Sequence, residues 1–415
     1  MKLGRSWGQL GMKSEWNIGT ISEVCSLVTD GSHYSPKSCD NGEYMVSVKD
    51  FKGFGFDFSN CKHISSSDYE KMKASGCIPE CGDILIGKDG ARFFEDIIIY
   101  NQPEKPALLS SIAILRCNPD IILPQFLYYI CKNPVFKKDV RDNYGSGSAI
   151  PRIVLKDFKR MPISYPDLDE QRKIVASLVA IDDRILLNTA INENLESQAQ
   201  AIFKSWFVDF EPFGGVIPED WNKCTLDSIC SLISKGVTPK YIDCSEQIVI
   251  NQKCIRNHKI DLTFARYHIP KKINEKWLKH GDILINSTGT GTLGRAAQVL
   301  FAPKNLTVDS HVTIVRAKKT NYQYYLGVWA ISHECTFEKM QTGSTSQTDL
   351  PRELLKQMEI LLPSDEILNN YSSIIKPIFD MMVANQQEIN RLAELRDTLL
   401  PKLMNGEIDV SKVKI

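Results

Sequence analysis

The 415-residue sequence has no long hydrophobic run and no excess of charge of either sign. Its longest apolar stretch, from Ala107 to Leu115, contains two serines and is too short to span a bilayer. The 50 basic and 50 acidic side chains cancel, so net charge alone indicates neither a nucleic-acid nor a membrane partner. With 43% apolar and 24% charged residues, the composition excludes a disordered chain and is typical of a globular protein without a membrane partner.

Disulfide and metal frameworks are also missing. The chain has 12 cysteines and shows no secretory signal, so we expect reduced thiols in the cytoplasm. Cys61, His63, Cys77 and Cys81 could be combined into a zinc set, but the spacing of the first pair is unusual and the second half of the chain has no counterpart. We therefore predict structural thiols and no metal site.

Motifs of common active sites are absent. There is no Walker lysine motif, no zinc-protease helix and no Gly-x-Ser-x-Gly elbow. The segment nearest to the Asn-Pro-Pro-aromatic motif of amino-methyltransferases, residues 133–136, lacks the second proline. These absences predict a chain that has no catalytic residues, binds no cofactor and is not itself an enzyme.

One glycine-rich segment leaves an alternative open. Residues 289–294 read Gly-Thr-Gly-Thr-Leu-Gly and follow a predicted strand, as in a dinucleotide or S-adenosylmethionine site. The equivalent segment of the first half, residues 87–90, lacks the pattern, and Pro303 follows closely. A glycine-rich turn is the favoured interpretation, and a nucleotide-binding enzyme that uses the Gly289 turn is the alternative.

What the sequence does contain is a long internal repeat. Three segments recur in the same order at offsets of 199 to 205 residues, which indicates a duplication. The matches are Trp16–Leu27 with Trp221–Leu232, Gly82–Ile86 with Gly281–Ile285, and Ile150-Pro151-Arg152 with Leu350-Pro351-Arg352.

Composition divides the chain into four predicted segments. Residues 1–165 carry a net charge of +2, residues 166–212 of −5, residues 213–362 of +5 and residues 363–415 of −2. Two mixed blocks thus lean basic and alternate with two acidic blocks. Positive charge belongs where a polyanion is bound, although chance variation on solvated surfaces would give a similar pattern.

The two mixed blocks have the pattern of small α+β domains. Residues 84–86, 112–115, 283–285 and 312–315 are predicted to be buried strands. Residues 125–131 and 322–331 are predicted to be short amphipathic helices. The fold class predicted for the chain is therefore α+β, with one mixed α/β domain built twice.

The acidic blocks are predicted to be long helices that pair. Apolar residues recur with alternating spacings of four and three from Ile174 to Trp206 and again from Tyr371 to Leu403. Asn188 and Asn385 occupy equivalent core positions, where a buried asparagine fixes the register of a coiled coil. Pro377 should kink the second helix or mark its start. Packing of each helix on its own domain alone is the alternative.

Two polar loops in each half are candidates for contact with a nucleic acid. One follows the repeated Gly-Asp-Ile-Leu-Ile and the other precedes the repeated Pro-Arg, where small hydroxyl groups beside a cation suit phosphate oxygens and base edges. Plain connections with arginines in surface ion pairs are the alternative. The candidates are Lys88, Arg92, Ser146, Ser148 and Arg152 in the first half and Asn286, Thr288, Arg295, Ser344, Thr345, Gln347 and Arg352 in the second.

The order of these parts resembles the specificity subunit of type I restriction–modification systems. The resemblance covers the chain from Trp16 onward and rests on the repeated segments described above. In addition, Leu168–Val175, which reads Leu-Asp-Glu-Gln-Arg-Lys-Ile-Val, is similar to the start of the family's central helix. The second helix departs from this pattern, because Asp365–Leu368 lacks the Gln-Arg-Lys.

The resemblance implies a bipartite reader of double-stranded DNA. Two target-recognition domains would each read half of a split sequence, separated by two long helices that form an antiparallel coiled coil. Two modification (methyltransferase) subunits would dock there and carry S-adenosylmethionine, and restriction/translocase subunits would use ATP and Mg²⁺. A coiled-coil adaptor that binds only proteins is the remaining alternative.

Overall fold

The structure is a computed structural model that describes residues 16–145, 151–342, 348–411 and 413. The chain divides into two compact units, Met1–Ile185 with Asn390–Ile415, and Leu186–Ile389. Each unit contains one globular domain and a segment of each of two long helices. The four segment boundaries read from composition stay a prediction.

The first domain is built around a four-stranded antiparallel sheet with the order β2-β10-β7-β8. A three-stranded sheet β6-β3-β9, a ribbon β1–β11 and a hairpin β4–β5 complete its strands. The strands are β1 (Asn17–Thr20), β2 (Cys25–Asp30), β3 (Glu43–Val46), β4 (Phe51–Lys52), β5 (Gly55–Phe56), β6 (Lys62–Ile64), β7 (Ile84–Gly87), β8 (Ile97–Ile99), β9 (Ala107–Leu108), β10 (Ile112–Cys117) and β11 (Pro162–Tyr165). The helices are α1 (Ile21–Val24), α2 (Ser66–Ala74), α3 (Pro124–Lys132), α4 (Pro134–Tyr144) and α5 (Leu155–Arg160), followed by the long helix α6 (Leu168–Phe207).

The second domain repeats this topology strand for strand. Its sheets have the orders β13-β21-β18-β19 and β17-β14-β20, with a ribbon β12–β22 and a hairpin β15–β16. The strands are β12 (Asn222–Thr225), β13 (Cys230–Lys235), β14 (Ile248–Ile250), β15 (Ile255–Arg256), β16 (Lys259–Ile260), β17 (Arg266–Tyr267), β18 (Ile283–Asn286), β19 (Ala296–Gln298), β20 (Leu306–Val308), β21 (Val312–Ala317) and β22 (Glu359–Leu362). The helices are α7 (Leu226–Ile229), α8 (Gln323–Ser332), α9 (Glu334–Lys339), α10 (Arg352–Gln357) and the long α11 (Asp365–Met404).

These elements confirm the predicted duplication and the predicted α+β class. The four predicted strands correspond to β7, β10, β18 and β21, and the two short helices to α3 and α8. The central strands are buried along both faces, because the helices cover one side of each sheet and the smaller sheet covers the other. This explains why their sequences are continuous apolar runs rather than alternating ones.

The repeated Gly-Asp before the strand has a structural role in both domains. Gly82 and Gly281 have φ angles of 89° and 88°, a left-handed conformation that favours glycine. The aspartate that follows is 1% exposed in each case, and Asp83 accepts two hydrogen bonds of 2.9 Å from the guanidinium of Arg116. Asp282 binds Arg316 in the same way at 2.7 Å. The motif thus ties the start of one central strand to its neighbour.

The two long helices contain 40 residues each and pair antiparallel. Within the first unit Arg396 of α11 donates a 3.0 Å hydrogen bond to Asp182 of α6, and within the second unit Asn192 of α6 accepts one of 2.9 Å from Asn385. In the second unit Asn188 donates to Glu388, so the sequence number rises along α6 as it falls along α11. Asn188 is 1% exposed and lies between the two helices, and its role in fixing their register stays a prediction.

The structure excludes one of the two alternatives that the sequence left open for Pro377, and a kink at this residue stays a prediction. Helix α11 begins at Asp365 and runs through Pro377, so the proline does not mark its start. At the start of α6, Gln171 is fully buried and bonds three backbone groups of the first domain, at Ile121, Leu123 and Pro166. The glutamine of the Leu-Asp-Glu-Gln segment therefore anchors α6 on that domain.

Candidate nucleic-acid interface

The structure brings the two predicted loops of each domain together. In the first domain Gly90 N–H donates to the carbonyl of Pro151, and Ile153 N–H donates to the carbonyl of Lys88. In the second domain Leu350 N–H donates to the carbonyl of Ser287. The segment after the central strand and the segment before the short helix are thus neighbours in both domains, although more than 60 residues separate them in sequence.

These backbone bonds correct the predicted alignment of the repeat. Ile153 and Leu350 occupy equivalent places, and both are fully buried. Consequently the counterpart of Arg152 is Asp349, not Arg352: Arg152 forms a backbone bridge with Asp89, and Asp349 forms the equivalent one with Thr288. The two Pro-Arg pairs matched in sequence because of their local composition, but they differ in position by three residues.

Lys88 of the first domain lies inside the protein. It is 5% exposed, and its ammonium lies 3.3 Å from the Asp30 carboxylate and 3.6 Å from that of Asp89. Asp30 is itself 9% exposed at the end of β2. In this arrangement Lys88 neutralises a buried carboxylate and holds the loop after β7 in place, so its predicted contact with DNA stays a prediction that needs the pair to open.

The position that Asp30 occupies in the first domain carries the opposite charge in the second domain. Lys235 is the counterpart of Asp30, since both pair with equivalent residues of the neighbouring strand. Lys235 forms an ion pair of 2.5 Å with Asp349, and both side chains are partly exposed. Thr288, a predicted site residue, is half-buried and hydrogen-bonds His311 at 2.8 Å.

Arg352 is one of the residues that line a basic cavity. A cavity of about 380 Å³ is lined by Ser234, Lys235, Gly236, Lys276, Pro351, Arg352 and Glu353. Three cations and one carboxylate face it, and the Arg352 side chain is 48% exposed while it contacts Glu353 at 3.1 Å. A cavity with this charge is suited to a phosphate oxygen.

The other predicted residues have different surroundings. Asn286 is fully buried and donates to the carbonyl of Gln252, so its amide supports the loop from inside. Arg92 is 75% exposed in its side chain and pairs with Asp96 at 2.8 Å. Arg295 is half-buried and donates to the carbonyl of Gly291, and Arg152 is exposed. Ser146, Ser148, Ser344, Thr345 and Gln347 lie outside the described residues.

The Gly289 segment lacks the context of a nucleotide site. Gly289 and Gly294 have φ angles of 106° and 86°, so the segment is a tight turn. Strand β19 follows it, whereas a dinucleotide site requires a helix N-terminus at that point. A Cβ atom on Gly294 would lie 2.8 Å from the carbonyl oxygen of Glu334, so this glycine permits packing against α9.

The four residues of the hypothetical zinc set are not brought together. Cys61 and Cys77 belong to different hydrophobic clusters, and among the described residues no three His, Cys, Asp or Glu side chains are grouped as metal ligands. Within the described part of the chain, no helix is both long and apolar enough to cross a membrane.

Sequence reasoning missed Lys235 and Lys276, which share the cavity with Arg352. The signal for Lys235 was present, because the aligned repeat places Lys-Gly opposite Asp-Gly and so replaces an acid by a base. Lys276 is distant in sequence and has no motif of its own. Its ammonium donates to the carbonyl of Gly236, which only the folded chain reveals.

A chain that contains one mixed domain twice, each copy followed by a 40-residue helix, is an internally duplicated two-domain protein. The chain belongs to the family described as type I restriction modification DNA specificity domain, whose profile matches residues 13–197 and 218–394. The predicted resemblance is thereby confirmed. The family consists of specificity subunits, which recognise DNA targets within larger complexes and are generally non-catalytic.

Named relatives match over nearly their whole length. The chain is 28% identical to the type I restriction enzyme MjaIX specificity subunit of Methanocaldococcus jannaschii, covering 96% of this chain and 95% of that one. It is 23% identical to the HindI specificity subunit of Haemophilus influenzae, covering 95% and 99%. The fold is similar to the crystal structure of the S subunit from M. genitalium, with a TM-score of 0.57, 15% identity and coverage of 97% and 98%.

Proposed function

We propose that this chain is the subunit that reads a bipartite DNA sequence for a type I restriction–modification complex. Each globular domain reads one half of the target. The observation that carries the proposal is the strand-for-strand repetition of the domain, with an exposed arginine near the start of the short helix in both copies, Arg152 and Arg352. Two related readers on one chain suit a target made of two separated half-sequences.

In this proposal the chain has no catalytic step of its own. Two modification subunits dock on it and transfer the methyl group of S-adenosylmethionine to a flipped adenine. Restriction/translocase subunits supply ATP- and Mg²⁺-dependent cleavage, and the complex acts on DNA in the cytoplasm. The absence of catalytic motifs in the sequence supports this division of labour.

The paired helices α6 and α11 then set the gap between the half-sequences. Because Asn188 bonds Glu388 and Asn192 bonds Asn385 across the seam, one heptad inserted after Asn188 and one after Asn385 preserve both pairs. At ~1.5 Å rise per residue the pair grows by about 10.5 Å, which corresponds to roughly three base pairs at ~3.4 Å each. Three base pairs also rotate the second half-site by about 100°, so affinity should fall.

The experiment is methylation mapping with the complex that contains the lengthened chain. The expected result is methylation of the same two half-sequences with a gap about three base pairs longer. An active complex that methylates the original sequence with its original gap contradicts the spacer role. An assembled complex without sequence-dependent affinity for DNA contradicts the proposed function and favours a protein-binding adaptor.

A further inference from the structure

An uneven distribution of charge singles out one part of the second domain. Residues 240–272 carry seven basic and three acidic side chains, a net charge of +4. The structurally equivalent residues 36–68 of the first domain carry four basic and five acidic ones, a net charge of −1. Most of the positive charge that the sequence assigns to the second domain therefore lies in this segment, which includes β14 to β17.

The segment forms a β-ribbon at the edge of the three-stranded sheet. Strand β17 is the edge strand of that sheet, and residues 240–242 extend it: Ile242 N–H donates to the carbonyl of Tyr267, and Ile269 N–H donates to that of Lys240. A two-stranded ribbon is one of the few elements that fit the major groove of DNA.

Arg266 lies on this ribbon and stacks on an aromatic ring. The guanidinium of Arg266 lies over the ring of Tyr241 at 3.7 Å, and both residues are exposed. In the described part of the chain no carboxylate forms an ion pair with Arg266. Stacking covers one face of the guanidinium and fixes its plane, while its edge of N–H donors stays free to bind a planar acceptor pair.

The ribbon is continuous with the candidate interface of the same domain. The hydroxyl of Tyr241 reaches the buried carboxylate of Asp309 at 3.5 Å, and that carboxylate accepts from the backbone N–H of His311, the partner of Thr288. Lys271 of the same segment donates to the carbonyl of Thr238, beside the cavity lined by Lys235. Hydrogen bonds therefore connect the ribbon that carries Arg266 with the loops that line the cavity of Arg352.

We propose that Arg266, held on Tyr241, reads a base edge in the half-sequence of the second domain, whereas the cavity around Arg352 holds a backbone phosphate. This rests on the proposed function and assigns its specificity to a named side chain. A stacked guanidinium presents the paired donors that match the two acceptors of guanine in the major groove. The first domain has Lys62 in the equivalent place, which lacks this planar fork.

The test uses the assembled complex of this chain with its modification subunit. The target is the sequence that methylation mapping identifies for the wild-type complex. Arg266→Ala should weaken binding to this sequence about 5- to 150-fold, and in methylation maps one position of one half-sequence should accept any base. Arg266→Lys keeps the charge and should lose the same discrimination with an unchanged salt dependence. The matched control is Arg256→Ala, which also removes an exposed arginine from an aromatic ring, Phe264 at 5.3 Å, but leaves the target sequence unchanged.

Three outcomes overturn the inference. The first is an Arg266→Lys complex that discriminates as well as the wild type while Arg266→Ala binds all duplexes more weakly, which would assign Arg266 to a phosphate. The second is an Arg266→Ala chain that no longer assembles with the modification subunit in size-exclusion chromatography, which would make the ribbon a protein interface. The third is equal degeneracy with Arg256→Ala. If the wild-type complex itself lacks sequence-dependent binding, the proposed function fails instead.

Discussion

The two domains have the same topology, yet equivalent positions near their candidate interfaces carry opposite charges. Asp30 of the first domain is replaced by Lys235 in the second, and Arg152 by Asp349. The first domain buries its ion pair, Asp30 with Lys88, whereas the second keeps its pair, Lys235 with Asp349, partly exposed. A duplicated fold can therefore use one backbone geometry with either sign of charge, because each reversal is compensated by a partner on a neighbouring loop.

The hairpins at the edges of the domains differ in a second way. At the tip of β15–β16, His258 bonds Glu196 of α6 and lies 3.5 Å from Glu334 of α9. The equivalent tip of β4–β5 carries Phe54, which is 51% exposed. The tip of one hairpin is thus held against α6 and α9 by ion pairs, whereas the tip of the other carries an exposed aromatic side chain. The predictions below test both differences.

The largest effect is expected at the buried aspartates of the two Gly-Asp motifs. Asp282→Ala removes both carboxylate bonds from Arg316, whose side chain is only 13% exposed, and should destabilise the second domain by about 3–5 kcal/mol. Asp83→Ala should cost the first domain less, because the Arg116 side chain is 30% exposed and can turn to solvent. Urea unfolding with hydrogen exchange of the sheet amides in each domain measures both.

Glu80→Ala is the matched control, since Glu80 also pairs with Arg116 at 2.7 Å but is 68% exposed. It should change stability by less than about 1 kcal/mol. Equal losses of stability in Glu80→Ala and Asp83→Ala would show that burial of the carboxylate does not determine how much its ion pair stabilises the domain.

Asp30 and Lys235 occupy equivalent positions with opposite charges, so replacing each by alanine should affect different properties of the protein. Asp30→Ala leaves the buried ammonium of Lys88 with only Asp89 nearby, so we expect a loss of about 3 kcal/mol in stability. Lys235→Ala removes a partly exposed cation, so stability should change by less than about 1 kcal/mol. Lys235→Ala should instead weaken DNA binding and reduce the slope of log affinity against log salt concentration by about 1. Denaturant unfolding and affinity at several salt concentrations separate the two, and similar stability losses for both variants would refute the comparison.

Hairpin β15–β16 should loosen at high pH while β4–β5 does not. Hydrogen bonds to Glu196 and then to Glu334 raise the pKa of His258 from 6.5 to about 9. Because the folded pKa lies above the unfolded one, the stabilisation is complete below pH 6.5 and is lost as pH rises through 9; it amounts to about 2–3 kcal/mol. Hydrogen exchange of residues 255–260, corrected for intrinsic rates, measures it. His258→Phe, which copies the first domain, should abolish the pH dependence, and persistence of it in that variant would exclude His258 as the cause.

The smallest effect is expected in the seam of the helix pair. Asn385→Leu removes the donor to the 2%-exposed Asn192 and should destabilise the pair by about 1–2 kcal/mol. Changing Asn192 to Leu as well removes both partners and should restore or increase stability at the cost of a defined register. Thermal unfolding of the two variants decides, and a double variant less stable than the single one would mean that these residues do not share an apolar seam.

Much of the fold could be predicted because its signals are local. The duplicated Gly-Asp turns, the apolar strands beside them and the spacing of four and three in the long helices each depend on residues that are close in sequence. The alignment of Arg152 with Arg352 failed for the opposite reason. A short Pro-Arg match outweighed a three-residue difference between the loops, which only the backbone bonds of Ile153 and Leu350 reveal.

The sequence by itself determined that this protein has two copies of one mixed domain, two long paired helices and the features of a restriction–modification specificity subunit. Only the tertiary structure decided which cations are exposed. Lys88 is buried because Asp30 lies beside it in the fold, and Arg266 is held flat because the chain returns to place Tyr241 beneath it. Residues so far apart in sequence carry no joint pattern, since their proximity depends on how the strands pair.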